Sequence, residues 1–436
     1  MARYILAATA LPGHVSPLLA IAQHLVRQGH QVVFNTASLF REKAEATGAR
    51  FVPFPGEIDF DYRRISELFP DYHEAERGPL KLMLGLRYLC RTMLGQKARL
   101  DGILADFPAD AILVDTVFAG TVPMLLGPRE ARPPVITIGI TALAATSVDT
   151  PFFGSGMPPS TTSEGRARNI AMHRNMQAQC AGMQQEFDET LASIGCPPLP
   201  EFMFDAFVSL PDLYLQLTGK SFEYPRSDLP ETVRFVGPLL APPTRSFDPP
   251  GWWGELDGGK PVVVATQGTF ANEDFGQLIG PTLTALKDED MLVVATTGGP
   301  PVEEIPVPIP ANTRATPFVA YDRLLPKVDV FVTNGGYGSV NHALSLGVPI
   351  VVAGDTEEKP EIAARVAWTG AGINLGTGHP RPEQIRDAVR SVLSDPRYRR
   401  RAQAVQADFA RHDARREIAA ILDDLVSGQG QRRATA

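Results

Sequence analysis

Residues 334–339 read Asn-Gly-Gly-Tyr-Gly-Ser, between the apolar run Val330-Phe331-Val332 and an amphipathic stretch. Gly335, Gly336 and Gly338 therefore fall where a strand hands over to a helix, a junction that lets backbone come close to a bound group. The free amides of a helix N-terminus attract anions, each dipole or hydrogen-bond contribution being on the order of 1 kcal/mol. With the Ser339 hydroxyl beside them, the amides at the start of a helix over residues 339–346 could hold a pyrophosphate without a metal. A tight turn with glycines chosen for packing alone fits the same residues.

A second pair of residues could move a proton. His14 follows the first apolar run in a Pro-Gly turn, and an imidazole, with an ordinary pKa of about 6.5, can accept a proton near neutrality. It needs an acidic partner, and Asp115 ends the strand-like run Ala-Ile-Leu-Val-Asp. In a parallel sheet both would lie at the carboxyl edge, where ligands bind. Singly, His14 could be a turn histidine bonded to backbone and Asp115 a helix cap; matching strand ends favour the pair. His24 and His30 fall on or after the following helix and read as surface residues.

Three other signals fail. Gly336-Tyr337-Gly338 opens like a dinucleotide fingerprint, but Asn341 takes the third glycine's place. Leu217-Thr218-Gly219-Lys220-Ser221 ends like a phosphate-binding loop, but Tyr214 stands where its first glycine is required. Asp59-Phe60-Asp61 lies in a polar, irregular segment and reads as a loop face, so no metal site is expected.

The elements that must position these groups repeat one pattern. An apolar run (residues 4–8), a helix with Ser16 as cap and Pro17 at its first position, and Gln-Val-Val-Phe-Asn-Thr make a strand-helix-strand unit ending its helix near Gly29. Leu19, Ala22 and Val26 would share that helix's buried face. Further buried strands read at 110–115, 133–140, 211–217 and 231–237. After a stretch rich in proline and glycine the pattern restarts at 261–269, 291–299, 329–336 and 349–354. The expected organisation is a first domain over 1–240, a linker over 241–260 anchored by Trp252 and Trp253, and a second domain over 261–436, with a cleft between. The basic stretch 397–426 reads as one helix, a candidate to pack back on the first domain, and 429–436 as a frayed end.

Composition narrows the partners. Net charge is −8 with no long basic block, which argues against nucleic acid or an anionic membrane surface. Hydrophobic residues make up 44% and charged residues 21%, ordinary for a globular chain. Three cysteines, odd in number and without a Cys-x-x-Cys pair, suit a reducing cytoplasm. The first apolar run is too short for a signal peptide, and no run approaches the roughly 20 residues of a membrane helix.

On these residues the chain resembles the inverting, nucleotide-sugar-dependent glycosyltransferases of the GT-B fold, close to bacterial natural-product and macrolide enzymes and related to plant UDP-glycosyltransferases. The likeness runs from residues 12–25 through 233–240 and 266–269 to the long stretch 310–354. It implies an α/β fold of two Rossmann-like parallel-sheet domains facing a cleft. It also implies transfer of a sugar from a UDP- or dTDP-sugar to a hydroxyl of a small hydrophobic acceptor, with no resident cofactor, in a monomer or homodimer. In this reading His14 is the base and Asp115 its partner. Phe318 stacks on the nucleobase and Tyr321 stands at a base-contacting position. Gly268, Thr269 and Ser339, with the amides around Gly336 and Gly338, hold the diphosphate, and Glu358 reads sugar hydroxyls. Three positions depart from the family's pattern. Asn334 replaces a histidine at the diphosphate, His342 a glutamate that grips the ribose, and Lys359 a glutamine beside the sugar. The acceptor wall is expected from Phe60, Tyr62, Phe69 and Tyr72, from Met83 and Leu84, and from Phe118, Phe152 and Phe153. Two alternatives stand beside this one: a sugar-nucleotide epimerase of the same architecture, and a non-catalytic partner of another enzyme.

Overall fold

The computed structural model describes residues 1–64, 79–240, 244, 246–269, 272 and 274–434. Its centre is a pair of parallel sheets. The first has the order β3-β2-β1-β4-β5-β6-β7, from β1 (Arg3–Ala7), β2 (Gln31–Thr36), β3 (Arg50–Pro53), β4 (Ala111–Asp115), β5 (Val135–Gly139), β6 (Leu213–Gln216) and β7 (Val233–Phe235). The second has the order β10-β9-β8-β11-β12-β13, from β8 (Val262–Thr266), β9 (Leu292–Thr296), β10 (Thr313–Thr316), β11 (Val330–Thr333), β12 (Ile350–Val352) and β13 (Gly372–Asn374). Helices cover both faces, so β4, β5, β8, β9 and β11 are buried along their whole length. That burial is why their sequences are unbroken apolar runs rather than alternating ones. Together they form a GT-B architecture.

The first helix, Pro12–Arg27, begins earlier than its sequence suggests. Leu11 is its N-cap and Pro12 takes the first position, where a missing N–H costs nothing. Pro17, expected to open the helix, lies inside it; His14 consequently sits in the first turn, its amide bonded to the Leu11 carbonyl at 3.0 Å. The buried stripe is Val15, Leu18, Ile21, Ala22 and Leu25, with Leu19 and Val26 at its margin.

The basic C-terminal stretch is two helices, Pro396–Phe409 and Ala414–Ala434, not one. The break has a packing cause. Ala402, Val405 and Phe409 belong to the core under the second sheet, whereas Ala414, Ile418, Ala419 and Leu422 belong to the core under the first. The chain crosses between lobes at residues 410–413, so the last helix packs on the first lobe. Trp252 and Trp253 pack on the second lobe's core, and Trp253 meets Phe247 edge to face. No helix among the described residues is long and apolar enough to cross a membrane.

One flank of the junction between lobes is ionic and buried. Arg365, 1% exposed, donates to Glu223 at 2.9 Å across the lobes and to Glu361 at 2.9 Å on its own helix. Glu361 in turn accepts from the amides of Gly154 and Gly156, both at 2.9 Å. Burial alone would pull the Arg365 guanidinium down, but the Glu223 and Glu361 carboxylates outweigh it and hold the cation charged.

Candidate active site

In each sheet the strand order reverses at one place: between β1 and β4 in the first, and between β8 and β11 in the second. Chain connections diverge there and leave a crevice beyond the carboxyl ends of the strands. His14 and Asp115 come from the first crevice, and Gly268, Asn334 and the 335–339 turn from the second. The two crevices share one cavity of about 940 Å³ whose wall includes His14, Thr269, Gly336, Gly338 and Ser339.

Asp115 Oδ1 lies 2.7 Å from His14 Nδ1. The carboxylate also accepts from the Thr9 amide at 2.5 Å and the Val117 amide at 3.0 Å. These contacts follow from the register: Ala7 pairs with Val114, so the backbone beyond β1 passes directly over the end of β4. Asp115 is 1% exposed. Burial alone would raise its carboxyl, but the charge and hydrogen bond of His14 and the two amides outweigh that and hold it below the ordinary carboxylate range. An ionised carboxylate only accepts, so Nδ1 must carry the proton it shares. The ring's basic lone pair is therefore on Nε2, the nitrogen left to face the cavity.

The glycine junction differs from expectation in one respect that matters. Its helix is Tyr337–Ser345, with Gly336 as N-cap, so it starts two residues earlier than residue 339. Gly335 takes φ +93°, a left-handed bend that side chains resist. The Ser339 hydroxyl donates to the Gly336 carbonyl at 2.9 Å and lines the cavity; to hold an anion it must turn its proton from that carbonyl. The earlier start puts His342 in the second helical turn. There its ring packs beside Tyr321, with centroids 6.2 Å apart, and the structure does not bring it to the cavity wall. Burial pushes the His342 imidazole down, which favours its uncharged form.

The remaining second-lobe residues fall around the same wall. Phe318 lines the cavity and is 65% exposed, an aromatic face with almost no protein on it. Tyr321 lines the cavity too, but its hydroxyl is tied to Thr296 Oγ1 at 2.9 Å, and burial raises its pKa. Asn334 donates its amide to the Gln267 carbonyl at 2.6 Å, lacing the end of β11 to that of β8. Glu358 stands at the N-cap position of the helix Lys359–Thr369 without a capping side-chain bond, and lines the cavity. Lys359 is 6% exposed and pairs with Glu357, with Thr356 Oγ1 3.1 Å from its Nζ. Among the described residues Glu357 is the non-glycine residue held at positive φ, +49°. Sequence reasoning missed Glu357 and Thr356; the signal was an acidic residue two positions before a lysine that is then buried. Among the described residues no group of three or more His, Cys, Asp or Glu could hold a metal.

On the first-lobe side Phe60 and Phe153 line the cavity, with Phe204 and Phe207, which the sequence did not single out. They come from the helix Met203–Ser209, whose other face is core. Phe118 does not reach the cavity: it is 1% exposed, inside the first lobe's core against Phe54. It follows Asp115 by three residues, and the chain there turns inward. Phe152 belongs to a second apolar cluster and is not on the wall, while Tyr62 stacks on Phe40. Phe69 and Tyr72, and the side chains of Met83 and Leu84, lie outside the described residues.

Comparison with known proteins agrees with this geometry. Residues 281–425 match the family described as "Erythromycin biosynthesis protein CIII-like, C-terminal domain". A 4'-demethylrebeccamycin synthase of Lentzea aerocolonigenes is 42% identical over 427 residues, which cover 98% of this chain and 100% of that one. A UDP-glycosyltransferase 2 of Phaeomoniella chlamydospora is 39% identical over 435 residues, covering 97% and 95%. Among solved structures, the calicheamicin glycosyltransferase CalG4 superposes with a TM-score of 0.69 at 23% identity, covering 98% of each chain. The glycosyltransferase of kitacinnamycin superposes with a TM-score of 0.72 at 20% identity, covering 97% of this chain and 98% of that one. Two sheets meeting at their switch points, and relatives matched nearly end to end, place this chain in the GT-B family of natural-product glycosyltransferases.

Proposed function

We propose that this glycosyltransferase moves a hexose from a UDP- or dTDP-sugar to a hydroxyl of a small hydrophobic acceptor by a single inverting displacement that needs no metal. The observation that carries the reading is the His14–Asp115 pair, 2.7 Å apart, on the wall of the same cavity as the glycine turn. The nucleobase lies on Phe318, and the diphosphate meets the amides of the 335–339 turn with Thr269 and Ser339. The sugar lies near Glu358 and Lys359. The acceptor takes the first-lobe side, between Phe60 and the phenylalanines of residues 153, 204 and 207. Apolar walls with few polar groups suit a polyketide, flavonoid, phenol or phenolic lipid.

As the acceptor oxygen attacks the anomeric carbon, its proton passes to His14 Nε2, and Asp115 stabilises the imidazolium that forms. The bond to the diphosphate breaks on the opposite face, and the charge growing on the leaving group is met by fixed amide dipoles. A general base contributes typically about 10²–10⁴-fold, and preorganised donors can contribute as much. Closure of the lobes excludes water and limits hydrolysis of the donor. An epimerase has no use for a second, acceptor-binding wall, and the first-lobe side of this cavity carries one, with Phe60, Phe153, Phe204 and Phe207 beside His14. Free cysteines and an acidic chain fit a cytoplasmic enzyme.

The test is a screen of UDP- and dTDP-sugars against phenols, flavonoids and macrolides, following nucleotide diphosphate release and product mass. Wild type should transfer, and His14→Ala should lose about 10²–10⁴-fold in rate while still binding nucleotide diphosphate. Normal turnover by His14→Ala would show that the base is elsewhere.

A further inference from the structure

Beside the cavity, the two lobes also meet through a short polar seam. Gln216, the last residue of β6, and Thr218 come from the first lobe; Tyr337 and Asn341, one helical turn apart, come from the second. Gln216 Nε2 donates to the Tyr337 hydroxyl and to the Thr141 carbonyl, both at 2.6 Å. Thr218 Oγ1 donates to Asn341 Oδ1 at 2.6 Å, and Asn341 Nδ2 donates to the Tyr337 carbonyl at 2.9 Å. All four side chains are buried, none more than 6% exposed. Gly139 leaves the Gln216 amide its space on the sheet: a Cβ there would lie 2.5 Å from Gln216 Oε1.

The placement of the tyrosine is informative. Tyr337 stands between Gly336 and Gly338, so its ring is the only large side chain in the turn itself, and its hydroxyl reaches the opposite lobe. Apolar contact alone would let the turn slide; directional hydrogen bonds fix its register. In-line displacement is sensitive to such register, because a misplacement of about 1 Å can cost ~10²-fold. Resting on the reading of the turn as the leaving-group site, we propose that Tyr337, through Gln216, is a positioning residue for transfer. It holds the turn in register with the lobe that carries His14.

The test compares wild type, Tyr337→Phe, Gln216→Leu and the double variant. Phenylalanine keeps the packing and removes only the hydroxyl. The single variants should lose roughly 10- to 100-fold in kcat, while donor KM and UDP or dTDP affinity change less than about threefold, because the turn's amides remain. Each single variant strands a buried polar group and should lower the unfolding midpoint, whereas removing both partners should restore part of it. Transfer should stay low in the double variant. Recovery of kcat together with the midpoint, or wild-type kcat in the folded single variants, would overturn the positioning role. Absence of transfer by wild type would overturn the proposed function and this role with it. Transfer by wild type with unaffected variants would overturn this role alone.

Discussion

Replacing Asp115 by asparagine changes one atom and sets three demands against each other. The carboxylate now accepts from the Thr9 amide, the Val117 amide and His14 Nδ1–H, at 2.5, 3.0 and 2.7 Å. A carboxamide has one oxygen. If it faces Thr9, its NH₂ points at the Val117 amide and at His14, and the ring can remain bonded only by accepting at Nδ1. That tautomer carries its proton on Nε2, the nitrogen that must take the acceptor's proton, so the base is blocked. If the oxygen faces His14, two N–H groups confront each other at Thr9. The first arrangement predicts a loss in kcat near the full worth of a general base, about 10²–10⁴-fold, or roughly 3–5 kcal/mol at 1.36 kcal/mol per decade. Loss of a triad aspartate through the wrong tautomer falls in the same range. Either arrangement also strands a buried donor, which costs about 1–3 kcal/mol of stability.

The assay is nucleotide diphosphate release with and without acceptor, with nucleotide affinity measured separately; affinity should not move. The same carboxyl gives a second readout. Its pKa is depressed in the folded chain, so its contribution to stability is present above the unfolded value of about 3.9 and is lost as pH falls through the folded value. Between about pH 4 and the acid limit, wild type should therefore lose stability that Asp115→Asn has already lost, and the two curves should converge. Turnover by Asp115→Asn within about threefold of wild type would refute the tautomer argument.

Phe318→Leu removes an aromatic platform that has little protein packed on it. It should weaken UDP or dTDP binding by a factor of roughly 10, as loss of one base–aromatic contact of about 1–3 kcal/mol implies, with little change in the unfolding midpoint; unchanged affinity by calorimetry would move the nucleobase off this ring. Lys359→Gln leaves Glu357 without its buried cation beside the sugar position. Donor ranking across a panel of UDP- and dTDP-sugars should shift more than the rate with the best donor, and an unchanged ranking would take Lys359 out of sugar recognition.

How much of this could be read in the chain depended on depth in the sheet. Central strands β1, β4, β8 and β11 must be apolar on both faces, so their runs stand out, and the chemistry-bearing residues follow them immediately. The strands the sequence did not reveal are β3, β10 and β13, and each is an edge of its sheet. Arg-Phe-Val-Pro ends in a proline, Thr-Arg-Ala-Thr is polar at all but its alanine, and Gly-Ile-Asn has one apolar side chain. An edge strand has one hydrogen-bonded neighbour and a partly wet face, so periodicity never had to be strict there.

The same logic separates the parts of the site that were legible from those that were not. His14 and the glycine turn are local signals, each set by a strand end and the helix that follows it. Their helix starts were misplaced by a few residues, Pro12 rather than Pro17 opening the first helix and Tyr337 rather than Ser339 the second. What the sequence could not show is distant: the hydroxyl of Tyr337 is held by Gln216, 121 residues away. Arg365 likewise owes its burial to Glu223, 142 residues earlier. Burying a guanidinium or phenol is costly without a partner, and one chain read in order names neither partner. The aromatic residues near the cleft show the converse error. Phe118 and Phe60 are equally apolar, but one follows a strand end that turns inward and the other lies on an irregular segment at the rim. Composition marks both as wall, and only the direction of the backbone sends one of them into the core.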